Sequence, residues 1–94
     1  MELLYLIQKY PSIYRVIKEP SFFAILKALE NGGKTFQELV EITMLNPRAL
    51  EEHIDFLLNN QLIDALYLPN RIEYVLTNFG KRVLELKKKA LSPV

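Results

Sequence analysis

The sequence has no cysteine, no tryptophan, one histidine and three glycines among its 94 residues. Without thiols there can be no disulfide framework, iron–sulfur site, thiolate zinc site or cysteine nucleophile. The one imidazole, His53, cannot complete a metal-ligand set alone, so neither a metal nor a cofactor is expected. Charge of one sign is also lacking: Lys+Arg 12 against Asp+Glu 11 leaves a formal net +1. That balance excludes a strongly basic, non-specific DNA coat. Long apolar runs are missing too. The longest, such as Leu3 to Ile7, fall far short of the ~20 residues that span a bilayer. Lys9, Arg15 and Lys18 follow that run, the reverse of a signal peptide, so a cytoplasmic location and no membrane partner are expected.

Half of the residues are hydrophobic, more than a disordered linker carries and enough for the core of one domain. Apolar residues at 3, 4, 6, 7 and 10 predict a short helix from Glu2 to Tyr10, stopped by Pro11. Ser12 to Lys18 predicts a second, and Pro20 to Glu30 a third, with Phe22, Phe23, Ile25, Leu26 and Leu29 at helical spacing. Asn31-Gly32-Gly33 is expected to close that third helix through a left-handed glycine. Thr35-Phe36-Gln37-Glu38 reads as a capping box for a helix ending near Met44. Asn46-Pro47 then starts a helix running to about Asn60, with Leu50, Ile54, Leu57 and Leu58 facing the core. The period changes to two over Leu62–Leu68 and Arg71–Thr77, joined around Pro69-Asn70, which predicts a hairpin. Thr77 or Asn78 caps a last helix carrying Phe79, Val83, Leu86 and Ala90.

Two helices joined by a tight turn, then a hairpin and a closing helix, is the order of the winged helix-turn-helix. The matching pieces are Ile25-Leu26-Lys27-Ala28-Leu29, Thr35-Phe36-Gln37-Glu38-Leu39, His53-Ile54, Leu62-Ile63 and Leu76-Thr77-Asn78-Phe79-Gly80. Over Pro20 to Leu86 the chain resembles the ArsR and MarR-like transcriptional regulators, in an archaeal or archaeal-viral version. The resemblance implies a mostly α (α+β) fold and a single domain over residues 1–94. Residues 1–19 form an N-terminal helical extension, 20–77 the winged-helix core with its two-stranded wing, and 78–94 a C-terminal helix. Where those families place turn glycines, this chain has Met44 and Gln61, and Asn46 or Asn60 is expected to take the left-handed geometry instead.

The implied function is sequence-specific binding of double-stranded DNA, with helix 47–60 in the major groove and wing 62–77 on the backbone. Thr35 and Gln37 would make the first phosphate contacts at a helix N-terminus. Asn46 and Arg48 would reach bases, with Glu51 and Glu52 able to accept from cytosine. Asn70, Arg71 and Lys81, with Arg82, would contact phosphates. The charge distribution opens a second reading. Residues 20–70 carry three positive and seven negative charges, net −4, and residues 71–94 carry six and two, net +4. Helix 47–60 presents Arg48, Glu51, Glu52, Asp55 and Asn59 outward, one cation against three carboxylates. In the alternative, this acidic face docks a protein partner and the fold is an interaction module.

Catalysis has no support. There is no phosphate loop or nucleophile elbow, and Ser12, Ser21 and Ser92 all lie far from His53 in sequence. His53 reads as a partly buried packing residue, and Lys87-Lys88-Lys89 as a helix end complementing its own dipole. Leu3, Leu4, Leu6, Ile7, Tyr10 and the Phe79–Leu91 helix offer apolar edges at both ends, which predicts a homodimer through the terminal helices. The competing arrangement has the N-terminal helix covering the C-terminal one within a single chain.

Overall fold

The computed structural model describes residues 2–91, without the side chains of Leu3, Ala90 and Leu91. Met1 and residues 92–94, Ser92 among them, lie outside the described residues, as do the Leu3 and Leu91 side chains assigned above to a dimer surface. Six helices and a hairpin follow one another: α1 (Glu2–Lys9), α2 (Ser12–Lys18), α3 (Pro20–Ala28), α4 (Phe36–Thr43), α5 (Pro47–Asn59), β1 (Ile63–Leu68), β2 (Arg71–Leu76) and α6 (Asn78–Leu91). This is the expected order. The core gathers Phe22, Ile25, Leu26, Leu39, Leu50, Leu57, Leu62, Ile63 and Val83, each with no more than a trace of exposure.

Local chemistry sets the helix starts. The Thr35 hydroxyl accepts from the Glu38 amide at 3.2 Å, and Glu38 Oε1 accepts from the Thr35 amide at 2.8 Å, completing the capping box. That backbone hydrogen bond holds the Glu38 carboxyl below the usual carboxylate range. Asn46 Oδ1 accepts from the amides of Arg48 (2.9 Å) and Ala49 (3.4 Å), and Pro47 fills the first helical position. Thr77 caps α6: its Oγ1 accepts from the Gly80 amide at 2.9 Å and donates to the Gln61 carbonyl at 2.7 Å.

Two expectations about turns need correction. Helix α3 does not end on a left-handed glycine. Leu29 caps it in a right-handed conformation, and the chain tightens through bonds from the Glu30 amide to Lys27 O and from the Gly32 amide to Leu29 O. Gly32, at φ +145°, turns the chain only after the helix has closed. Likewise, neither Asn46 nor Asn60 is left-handed. Met44 (φ 60°) and Gln61 (φ 61°) take that geometry themselves, because each stands where a helix must reverse into a packed segment, and the asparagines one or two residues away serve as caps.

Met44 is 84% exposed, so its side chain has little to lose. Met44→Gly is therefore expected to stabilise the fold by up to about 1 kcal/mol, the left-handed penalty outweighing glycine's extra chain entropy. Thermal unfolding of the variant beside Met44→Ala checks this. A lower midpoint for the glycine variant than for the alanine variant would remove the strain argument.

Strands β1 and β2 pair antiparallel from Ile63↔Leu76 to Leu68↔Arg71, leaving Pro69-Asn70 as the loop. Neither loop residue has positive φ, so this is not one of the mirror-image turns that two-residue hairpins favour. A one-residue bridge, Lys34↔Tyr74, flanks β2 on its other side.

The terminal helices are used differently from one another. Val83, Leu84 and Leu86 of α6 are buried within the chain, Val83 and Leu84 in the common core, and α6 packs on α3 and β2. Leu6 of α1 is buried as well, the Tyr10 and Phe79 rings meet at 5.2 Å, and Glu2 pairs with Arg82. The described part of the α6 apolar stripe is thus largely covered by its own chain. Among the described side chains, Leu4, Tyr5, Tyr10 and Tyr14, on and after α1, are the large apolar residues left exposed at this end.

Candidate nucleic-acid interface

Helix α5 stands with its inner side chains, Leu50, Ile54 and Leu57, in the core, and Arg48, Glu51, Glu52, Asp55 and Asn59 exposed on the opposite side. Among the described residues, none of these charged groups makes an ion pair. The acidic face therefore lies open to solvent, as its spacing implied. It flanks one face of the hairpin. The register places Ala65 with Tyr74 and Tyr67 with Ile72 on the same side as the buried Ile63–Leu76 pair. Tyr74 is half-buried there, and its phenol pKa is raised by burial and then by the neighbouring Tyr67, Asp55 and Glu51. Tyr67 (79% exposed) and Ile72 extend this face outward without cover.

The sequence-named residues divide by what they already hold. Thr35 is committed to its capping box, its side chain also stabilising the Glu38 carboxylate, and Gln37 is exposed beside it, 3.5 Å from Glu41. Asn46 uses its carboxamide oxygen as a cap, leaving the amide nitrogen for an outside acceptor. Arg71 at the wing tip donates to Glu73 at 2.7 Å and to Asn70 Oδ1 at 3.3 Å, on the face away from α5. Lys81 lies elsewhere. It lines a cleft of about 350 Å³ with Leu29–Gly33 and Val75–Leu76, at the base of the hairpin rather than its tip. Arg82 is further removed, paired with Glu2 of α1. The expected cluster of Arg71, Lys81 and Arg82 is therefore not assembled: six strand residues separate tip from base, about 17 Å along the strand.

The net +4 of residues 71–94 is likewise largely committed within the chain. Arg71 pairs with Glu73, Arg82 with Glu2, and Lys88 with Glu30. Lys87, read from sequence as serving its own helix end, is buried. Its Nζ donates to the Val16 (3.2 Å) and Glu19 (3.4 Å) carbonyls at the end of α2.

His53 and Ser21, 32 residues apart, are brought together: Ser21 Oγ lies 2.7 Å from Nε2, and Nδ1 donates to the Ala49 carbonyl at 2.8 Å. The packing of α3 on α5 makes this contact, with the imidazole tilted against the Phe22 ring, centroids 4.3 Å apart. Glu19 is 4.0 Å from the same Nε2. Because Nδ1 bonds a backbone carbonyl, no acid orients the ring toward the serine, and the set joins two helices rather than forming a relay.

Sequence reading missed Tyr67, Ile72 and Tyr74 as surface-forming residues. The signal was present in the two-residue loop, which fixes the register and hence the shared face.

The family described as winged helix-turn-helix matches residues 21–92. The chain belongs to that family. Solved structures agree on the fold of this winged helix-turn-helix protein. Diamide-treated YodB from B. subtilis is 24% identical, with TM-score 0.79 over 87% of this chain and 85% of its own. The transcriptional regulator HlyU from Vibrio vulnificus is 21% identical, with TM-score 0.73 over 98% of this chain and all of its own. The homodimeric winged helix-turn-helix DNA-binding domain of Mb0332 from Mycobacterium bovis, a possible ArsR-family regulator, is 17% identical. Its TM-score is 0.71, over 93% of this chain and 79% of its own. No curated protein matches the chain. In this winged-helix protein α4 and α5 form the helix-turn-helix, and the β1–β2 hairpin is the wing. No described helix is long and apolar enough to cross a membrane.

Proposed function

We propose that the protein is a transcriptional regulator that binds double-stranded DNA as a homodimer, with α5 in the major groove and the wing against the backbone. The observation that carries this is the placement of α5. Its outer side chains are uncovered by the chain's own packing and stand beside the wing, as a groove reader requires. Arg48 and the Asn46 amide nitrogen are the base-reaching groups, with Glu51 and Glu52 as acceptors for cytosine N4. Thr35, Gln37, Asn70 and Arg71 hold phosphates, Arg71 by exchanging Glu73 for the backbone. Lys81, at the wing base, serves only a duplex long enough to pass beneath both. The exposed Leu4, Tyr5, Tyr10 and Tyr14 supply the dimer surface, and the homodimeric state of the Mycobacterium bovis relative supports it.

A salt series tests the reading. Binding to a pool of random duplexes, measured by fluorescence anisotropy, is expected to weaken by about tenfold between ~50 and ~200 mM salt, far less than the ~1,000-fold of a protein with six or more phosphate contacts. If no duplex binds even at the lower salt, the function is not DNA recognition. Sedimentation at micromolar concentration tests the dimer separately; a single 11.0 kDa species would rule it out.

A further inference from the structure

Among the described residues, the outer edge of the wing has no partner strand. The sheet ends at β1, and the Lys34 bridge lies on the far side of β2. That bridge also fixes which backbone groups are free. The Tyr74 amide donates to Lys34 O at 2.7 Å, and Tyr74 O accepts from the Lys34 amide at 3.0 Å. Tyr74 and Ala65 are therefore a non-hydrogen-bonded pair within the hairpin, and the N–H and C=O of Ala65, and of Tyr67 two residues on, point outward. Edge strands are ordinarily blunted by lysine, proline or a bulge. Ile63–Leu68 has none of these, and Asp64 is its one charge. Tyr67 on this strand and Ile72 opposite it are uncovered, and the same face of the hairpin carries Tyr74, whose phenol feels the unpaired carboxylates Glu51 and Asp55.

We infer that the β1 edge and the acidic flank of α5 together accept an extended basic segment of a partner protein, added as a strand beside β1. Its backbone meets Ala65 and Tyr67, its cationic ends reach Glu51 and Asp55, and its aliphatic stems lie over Tyr67 and Ile72. Charge and hydrogen bonding select this occupant over the two others. A second copy would bring two sets of Glu51, Glu52 and Asp55 together, and a duplex backbone has no donor for the outward carbonyls of Ala65 and Tyr67. The inference does not depend on DNA binding, but a segment seated here covers the outer face of α5 and excludes a duplex from it.

The test titrates the full isotope-labelled chain with an alternating Lys–Thr peptide of about ten residues, read by NMR shifts and amide exchange. Shifts and slowed exchange are expected first at Ala65 and Tyr67, then at Glu51 and Asp55. Ala65→Pro removes one outward donor without touching the β1–β2 ladder and is expected to weaken binding about fivefold. Glu51→Lys with Asp55→Lys is expected to weaken it about tenfold, with the edge backbone intact. The inference is overturned if millimolar peptide leaves Ala65 and Tyr67 unchanged, or if a Glu–Thr peptide binds equally well. Concentration-dependent protection of those amides without peptide would instead assign the edge to a second copy. Protection by a duplex that the peptide cannot displace would assign it to DNA. Both overturn the inference, and the salt series above judges DNA binding on its own.

Discussion

Gly80→Ala is expected to destabilise the fold by about 3 kcal/mol or more, the upper range for overpacking. For a domain of this size that lowers the unfolding midpoint by roughly 15 °C. A Cβ at this position would overlap the Leu62 carbonyl oxygen and stand 3.0 Å from its carbon and 3.4 Å from Leu76 Cδ2. The obstacle is backbone, so no side-chain rotation relieves it. Nor can that backbone easily move. Leu62 O accepts from the Thr77 amide at 3.1 Å, Leu62 and Ile63 are fully buried, and Gln61 just before them is already left-handed. The first turn of α6 therefore locks the end of α5, the start of β1 and the end of β2 at one point. Lys81→Ala, one residue along and exposed, is the control and is expected to stay within about 0.5 kcal/mol. Circular dichroism melts of the two variants decide the matter. A glycine variant melting within a few degrees of the parent would mean that α6 slides freely over the hairpin base.

That crossing was half legible in the sequence. Thr77 as a cap and Leu62-Ile63 as the inward start of the strand could be read from residues a few positions apart, as could the Thr35–Glu38 box and the Asn46 cap. Periodicity shows which side of an element faces inward but not what lies opposite it. The contacts that were not foreseen join distant segments: Ser21 with His53, Lys87 with Val16, Arg82 with Glu2. The same limit misplaced the wing cations. Arg71, Lys81 and Arg82 look adjacent when the hairpin is read as a line, yet strand length and helix direction carry them to three surfaces. The left-handed residues failed for another reason. Propensity favours asparagine, but the packed segments on either side decide which backbone position must turn, and those are Met44 and Gln61.

The acidic face of α5 was legible as composition, and its meaning changes with its surroundings. In isolation, three carboxylates on a solvated helix need no explanation. Here they stay unpaired while Arg71, Arg82 and Lys88 are engaged by other acids, and they border uncovered apolar side chains on the wing. Arg48 is the one cation on the outer face of α5, against three carboxylates. A duplex bound here must therefore gain its affinity from few phosphate contacts and from dimerisation, which predicts a shallow salt slope rather than a steep one.

Lys87→Ala is expected to cost about 2 to 4 kcal/mol, much more than the same change at exposed Lys89. The Lys87 stem is buried between α6 and α2, and its ammonium lies 5.3 Å from the Phe23 ring centroid while capping two carbonyls at the end of α2. Truncation leaves those carbonyls without this donor and opens a void beneath them. Lys87→Met keeps the stem, losing two hydrogen bonds but also the burial of a charge, and should lie within about 1 kcal/mol of the parent at neutral pH. The pH profile separates the two contributions. Burial holds the Lys87 pKa below its ordinary 10.5, to which it returns in the unfolded chain. Below the folded value both states are charged, and the folded state carries the full burial penalty. Between the folded value and 10.5 the unfolded state binds more protons, so this group's contribution to stability rises with pH across that interval and levels off above it. Denaturant unfolding of parent and Lys87→Met at pH values from neutral up to that limit should show the parent gaining on the variant. Tyrosines and the other lysines titrate in both proteins and cancel in the difference. Parallel profiles would mean that the ammonium at the end of α2 is solvated rather than buried.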